Sequence, residues 1–138
     1  MESVGNQVII DTDVIVDLLR GKEEVVAFVA DLEKRGLRLS TTIVNAFELF
    51  YGAYKSKKKG QNLAAARKLL RRMIVFKMGL VSAEKAGQIY ADLEALGQPV
   101  GLRDVMVGAI AVTRGCSVVT RNVVHLQKIK GVNLVVAP

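Results

Sequence analysis

Apolar residues occur along the chain in two patterns, short β-branched runs and longer segments in which they recur every three or four positions. Short runs of this kind predict buried strands, and the longer period predicts amphipathic helices. The predicted strands are 8–11, 37–40, 74–76, 117–120 and 132–136. The predicted helices are 14–20, 23–35, 43–54, 63–73, 82–96 and 103–114. This alternation favours a single α/β domain over residues 1–138, with a mostly parallel central sheet of about five strands and helices on both faces.

Turn and capping residues mark the ends of several predicted helices. Gly36 and Gly115 follow two of the helical segments, as expected of C-terminal caps. Thr41 or Thr42 is suited to cap the helix after the second strand, and Ser82 to cap the helix that follows the third. The lysine-rich stretch 55–60 is predicted to interrupt the helical pattern.

Three acidic residues stand in apolar surroundings, although they are far apart in sequence. Asp11 ends the first predicted strand, Glu48 lies mid-helix, and Asp104 lies near the start of the last long helix. Carboxylates beside core segments normally have a partner, and the carboxyl edge of a parallel sheet is where open α/β folds bind ligands. Taken singly, Asp11 could be a turn residue and Asp104 a favourable charge at a helix start. Together, the three predict one pocket that holds a divalent cation, whereas Asp17 is predicted to lie on an exposed helical surface.

Composition narrows the class of protein. The chain of 138 residues is 51% hydrophobic with no Trp, which suits a core of aliphatic side chains. Its 20 basic and 13 acidic residues give a formal net charge of +7, which favours a polyanionic partner. The single cysteine, Cys116, excludes an intrachain disulfide and a zinc-cysteine cluster. No signal peptide and no apolar run of about 20 residues is evident, so a cytoplasmic protein without a membrane span is expected.

Four segments, taken in order, resemble the PIN-domain ribonucleases and most closely the VapC toxins of type II toxin–antitoxin systems. They are VIIDTDVIVDLLRG at 8–21, FELFYGA at 47–53, GLRDVMVGAIA at 101–111 and VVTRNVVHL at 118–126. The resemblance implies RNA hydrolysis with Mg²⁺ or Mn²⁺ held by Asp11, Glu48 and Asp104. Cleavage would leave 5′-phosphate and 3′-hydroxyl ends.

The resemblance also implies supporting residues and partners. Asp13, Thr120 and Asn122 would support the catalytic carboxylates, Asn122 standing where the family often has a fourth acid. By their charge alone, Arg103, Arg121, Lys57 and Lys58 are candidates for an RNA-binding rim, and an ordinary solvated surface is the alternative. The expected partners are a cognate VapB-like antitoxin, whose tail would place an arginine against the carboxylates, and a second copy of the chain. The predicted homodimer contact comprises Phe47, Phe50, Tyr51 and Tyr54.

Three other functions are compatible with parts of the sequence. A non-toxin PIN nuclease of RNA processing or decay would carry the same carboxylates. Asp11-Thr12-Asp13 is similar to the paired aspartates of haloacid-dehalogenase-like phosphatases, but Thr120-Arg121-Asn122 supplies no acidic pair at the later strand end. A catalytically silent RNA-binding scaffold would not need Asp11, Glu48 and Asp104. The ribonuclease hypothesis accounts for most of these residues.

Overall fold

The computed structural model describes residues 6–138, which form five strands and seven helices. The strands are β1 Gln7–Ile10, β2 Arg38–Thr42, β3 Ile74–Phe76, β4 Ser117–Thr120 and β5 Leu134–Val136. The helices are α1 Thr12–Leu19, α2 Glu23–Lys34, α3 Ile43–Lys55, α4 Lys59–Arg71, α5 Leu80–Ala95, α6 Leu102–Arg114 and α7 Val123–Leu126. No helix among these is both long and apolar enough to cross a membrane.

The strands form one parallel sheet in the order β3-β2-β1-β4-β5. In register, Ile9 of β1 lies between Ser40 of β2 and Val118 of β4. The chain order reverses between β1 and β4, and in open parallel sheets such a reversal leaves a crevice at the carboxyl ends of the two strands. The predicted parallel sheet of about five strands is confirmed, and its crevice lies directly after Ile10 and Thr120.

Both faces of the sheet are buried, because alternate strand residues point to opposite sides. Ile9 and Val118 face a core built with α5, α6 and α7, and each is 0% exposed. Ile10 and Val119 face a second core built with α1, α2, α3 and α4. A strand buried on both faces has no polar face, which is why the centres of β1 and β4, at 8–10 and 118–119, are apolar.

Most element boundaries differ from the predictions by a few residues, and three helix starts illustrate the differences. α1 begins at Thr12, because the side chain of Asp11 accepts the Thr12 amide and caps the helix. α4 begins at Lys59, so the predicted interruption is shorter than residues 55–60. α5 begins before Ser82, whose hydroxyl pairs with that of Thr113 at 2.9 Å and caps nothing.

Two further findings concern α6 and α7. Gly115 ends α6 with φ 67°, a left-handed conformation that favours glycine. The single-turn helix α7 was not predicted, because four residues are too few to show a helical period.

Candidate active site

Asp11 is fixed at the crevice by bonds to both carboxylate oxygens. It follows β1 directly, and its amide donates to the Val119 carbonyl at 2.9 Å, continuing the pairing of β1 with β4. Oδ1 accepts the Thr12 amide at 2.9 Å, and Oδ2 accepts the Thr120 hydroxyl at 2.7 Å. The residue is 1% exposed, so these donors replace the water that a free carboxylate would bind.

Asn45 is a site residue that the sequence did not reveal. Its side-chain amide donates to Oδ1 of Asp11 at 3.0 Å and to Oγ1 of Thr12 at 2.8 Å. Its backbone amide donates to Oγ1 of Thr42 at 3.2 Å, which forms the capping box that begins α3. The one signal in the sequence was its spacing, three residues after Thr42 and three before Glu48, which places it one helical turn from Glu48.

Glu48 reaches the crevice because α3 begins directly after β2. Its Oε1 accepts the Thr12 hydroxyl at 2.5 Å. The Glu48 side chain is 29% exposed, against 2% for that of Asp11. Glu48 therefore lies on the solvent side of the cluster.

Asp104 lies in the first turn of α6 and closes the other side of the crevice. It is 8% exposed, and its Oδ1 accepts the side-chain amide of Asn122 at 3.1 Å. The backbone amide of Asn122 donates to Oγ1 of Thr120 at 2.8 Å, and its side-chain oxygen lies 3.0 Å from Nδ1 of His125. Asn122 thus connects the end of β4 to Asp104 through an amide without adding charge.

Arg103 was predicted to lie on an RNA-binding rim, but its guanidinium lies inside the acidic cluster. Nε donates to both carboxylate oxygens of Glu48 at 3.0 and 2.9 Å, and Nη1 donates to Oδ1 of Asp104 at 2.7 Å. Nη2 donates to Oδ1 of Asp11 and, at 2.8 Å, to Oε1 of Glu48. Burial on its own would lower the pKa of Arg103, but the bonds to Glu48 and Asp11 outweigh it and raise the pKa.

Arg121, also predicted to bind RNA, joins β4 to α1 and to Pro138 in the structure. Its guanidinium pairs with Asp17 and donates to the Pro138 carbonyl at 2.7 Å. Asp17 is 5% exposed, so the predicted surface position is wrong. Burial raises the pKa of Asp17, but its bonds to Arg121 and Lys22 outweigh burial and lower the pKa.

The other predicted site residues lie at the periphery. Asp13 is half-buried and accepts the backbone amides of Val14 at 2.8 Å and Arg121 at 3.1 Å. Burial, together with the neighbouring charge of Asp11, raises the pKa of Asp13. Lys57 and Lys58 are exposed in the connection between α3 and α4.

The cluster has the chemistry of a site for a hard cation. Asp11, Glu48 and Asp104 converge on one positive group, the Arg103 guanidinium, and each contributes an oxygen to it. With the Arg103 guanidinium among the carboxylates, no group of three Asp, Glu, His or Cys side chains within residues 6–138 is close enough together to hold a metal ion. Carboxylate oxygens are the ligands that Mg²⁺ and Mn²⁺ prefer, so the donor set fits such an ion.

Comparison with known proteins places this geometry in a family. The PIN domain model matches residues 8–131. Over 125 residues the chain is 31% identical to the tRNA(fMet)-specific endonuclease VapC of Salmonella typhimurium, covering 91% of this chain and 93% of the relative. The chain belongs to the VapC family of PIN-domain ribonucleases. This family is metal-dependent, and membership sets aside the phosphatase and scaffold hypotheses.

Solved structures agree with this assignment. A chain of DNA-bound VapBC from Salmonella typhimurium superposes with a TM-score of 0.85 at 30% identity, covering 94% of this chain and 97% of that chain. VapBC2 from Rickettsia felis, bound to a DNA fragment from its promoter, gives a TM-score of 0.88. The superposition covers 96% of this chain and 99% of the Rickettsia felis chain. Because the two sequences are 22% identical, this match supports the fold alone.

Proposed function

We propose that this VapC-family ribonuclease hydrolyses RNA with Mg²⁺ or Mn²⁺ held by Asp11, Glu48 and Asp104, as the toxin of a toxin–antitoxin pair. The observation that carries the proposal is the convergence of these three carboxylates on one cationic group at the crevice between β1 and β4. We further propose that residues 1–138 form one PIN domain and that the protein acts in the cytoplasm.

The chain's own residues position the reacting groups. Thr120 and Asn45 each donate to a different oxygen of Asp11, so this carboxylate cannot rotate freely. Glu48 is the most exposed of the three acids and is placed to orient the attacking water and accept its proton. A divalent ion bound here would lower the pKa of water and neutralise charge on the phosphate. Thr120 holds Asp11 and Asn122 holds Asp104. Asp13 supports the site indirectly, by accepting the Arg121 amide at the end of β4.

The proposed substrate is a structured RNA, and specifically a tRNA. The support is the named activity of the Salmonella relative, a tRNA(fMet)-specific endonuclease, together with the net charge of +7. Exposed cations that could bind the RNA backbone extend from the loop after α3 onto α4. They are Lys57, Lys58, Arg67, Lys68 and Arg71.

The proposed inhibitor is a VapB-like antitoxin, as in the VapBC complexes that the fold resembles. A cleft of about 320 Å³ between α1, α3 and α4 opens beside Glu48, and Val16, Leu19 and Leu49 contribute to its lining. An apolar antitoxin segment could lie in this cleft and present an arginine to the carboxylates.

We also propose a homodimer formed through α3. Phe47 and Tyr51 are 66% and 55% exposed, and their rings stack with centroids 6.2 Å apart. Tyr54 is 55% exposed on the same helix. Phe50 was predicted to join this contact, but it packs against the core of its own chain.

A cleavage assay tests the nuclease assignment. The purified protein should cut tRNA in Mg²⁺ or Mn²⁺, and EDTA should stop the reaction. Asp104→Asn should abolish cleavage, because a neutral amide binds a hard cation far more weakly. Asp92→Asn removes an exposed carboxylate on α5 and should cut normally. Undiminished cleavage in EDTA, or by Asp104→Asn, would contradict the metal site.

A growth assay tests the toxin role. Expression of the protein should arrest growth, and expression of the antitoxin from the adjacent reading frame should restore it. Normal growth under expression of a protein that cleaves RNA in vitro would favour the non-toxin PIN nuclease.

A further inference from the structure

Arg103 binds the same oxygens that the proposed function assigns to a divalent ion. Its guanidinium contacts Oδ1 of Asp11, Oε1 of Glu48 and Oδ1 of Asp104, and these acids belong to three separate parts of the chain. Nη2 also lies 3.2 Å from Oγ1 of Thr12. All three guanidinium nitrogens therefore donate to side chains of the cluster.

The guanidinium and an ion at this site would exclude each other. Each needs the inward-facing oxygens, and two cations about 4 Å apart repel strongly where surrounding water is limited. The Asp11 side chain is 2% exposed and held by Thr12, Asn45 and Thr120, so it cannot turn to serve both partners. Binding of the ion therefore requires the guanidinium to leave.

The position of Arg103 on α6 allows it to leave without unfolding the site. It is the second residue of the helix, and its side chain is 27% exposed, so a change of side-chain torsions can carry the guanidinium towards solvent. At the opening of the crevice it would meet the RNA backbone. A phosphate matches the planar guanidinium fork as a carboxylate does.

We propose that Arg103 is a built-in competitor of the divalent ion, and that it exchanges the three carboxylates for an RNA phosphate when the ion binds. The proposal rests on the metal site of the proposed function. In this role Arg103 holds the carboxylates together until the ion and the RNA arrive, and then helps to bind the substrate. The alternative is that the guanidinium stays bound to the carboxylates when the ion binds, as a permanent part of the cluster.

Mn²⁺ binding to the full-length protein, measured by calorimetry without RNA, tests the competition. Arg103→Ala should bind Mn²⁺ at least about tenfold more tightly than wild type. The reason is that the ion no longer has to displace the hydrogen bonds between the guanidinium and the three carboxylates. Arg103→Lys keeps the positive charge but loses the planar guanidinium, so its Mn²⁺ affinity should lie between those of wild type and Arg103→Ala. Arg35→Ala removes an exposed arginine directly after α2 and should bind Mn²⁺ as wild type does. Equal or weaker binding by Arg103→Ala would overturn the proposal.

The wild-type protein offers a second test that does not depend on a variant's folding. The NMR signal of the Arg103 Nε–H group, assigned by its loss in Arg103→Lys, should move to the position of an exposed arginine as Mg²⁺ is added. The midpoint should equal that of Mg²⁺ binding. A signal that stays hydrogen-bonded at saturating Mg²⁺ would overturn the exchange while leaving the metal site intact.

The remaining outcomes separate this inference from the proposed function. If neither wild type nor Arg103→Ala binds Mn²⁺ or Mg²⁺, the metal site itself is wrong and the inference fails with it. If the exchange is correct, Arg103→Ala should need less Mn²⁺ for half-maximal cleavage but show a higher KM for RNA. An unchanged or lower KM would overturn the assignment of the phosphate to Arg103.

Discussion

The Thr120 hydroxyl donates a 2.7 Å hydrogen bond to Oδ2 of Asp11, although 109 residues separate them in the chain. The pair forms because Ile10 and Val119 are register partners in β1 and β4, so the residues that follow them lie side by side. Both are almost fully buried. The bond therefore depends on the neighbouring position of these two strands in the sheet.

Thr120→Val should lower RNA cleavage by about tenfold or more, since it removes a donor that orients a metal-binding carboxylate. Thr120→Ser restores the hydroxyl and should recover most of the activity. The measurement is kcat/KM for RNA, with Mn²⁺ affinity determined in parallel. Equal activity in the valine and serine variants would contradict the positioning role.

Gly108 of α6 allows close packing against the segment after α7. A Cβ at this position would lie 2.7 Å from Cδ1 of Ile129, which is itself buried. Gly108→Ala should therefore have a free energy of unfolding about 1–3 kcal/mol lower than that of a Gly→Ala change at an open helical position, the usual cost of overpacking a core. Urea denaturation measures the change.

Two controls isolate the steric contact. Gly87 lies in α5, and a Cβ added there would have no neighbouring atom within 4 Å, so Gly87→Ala should raise stability by about 0.5–1 kcal/mol. Adding Ile129→Val to Gly108→Ala removes the clashing atom and should recover part of the loss. A Gly108→Ala protein as stable as Gly87→Ala would contradict the contact.

The pairing of Asp17 with Arg121 and Lys22 should make stability depend on pH in the acidic range. Because its pKa is lowered in the folded state, the unfolded chain, whose Asp residues titrate near about 3.9, takes up the proton first as pH falls. This contribution to stability is therefore present above about pH 4 and is lost as the pH falls through the lower pKa that Asp17 has in the folded protein.

Urea denaturation of wild type and Asp17→Asn over this pH range checks the linkage. Wild type should be the more stable protein near neutral pH, and the difference should shrink as pH falls below about 4. A difference between wild type and Asp17→Asn that is independent of pH would contradict the lowered pKa.

The exposed aromatic face of α3 makes the dimer proposal testable. Phe47→Asp places a charge in the proposed apolar contact and should convert a dimer to a monomer in light scattering at micromolar concentration. Leu96→Asp changes another exposed apolar residue, 70% exposed beyond the end of α5, and should leave the dimer intact. A wild-type protein that is monomeric without a partner would contradict the proposal.

The sequence by itself determined the fold class and the three acids. The centres of β1 and β4 are apolar because both faces of these strands are buried, and the helices have the 3.6-residue period of one buried side. Asp11, Glu48 and Asp104 were recognisable because a carboxylate in an apolar segment is costly without a partner. These are local signals that need no knowledge of which strands pair.

Only the tertiary structure decided which polar side chains meet. The strand order places β4 beside β1, which brings Thr120 to Asp11, and α3 then brings Asn45 to the same carboxylate. Arg103 and Arg121 look alike in sequence as basic residues beside site residues, and both were predicted to bind RNA. In the fold, Arg103 lies among the carboxylates and Arg121 pairs with the buried Asp17, because a long flexible side chain takes its partner from the whole fold.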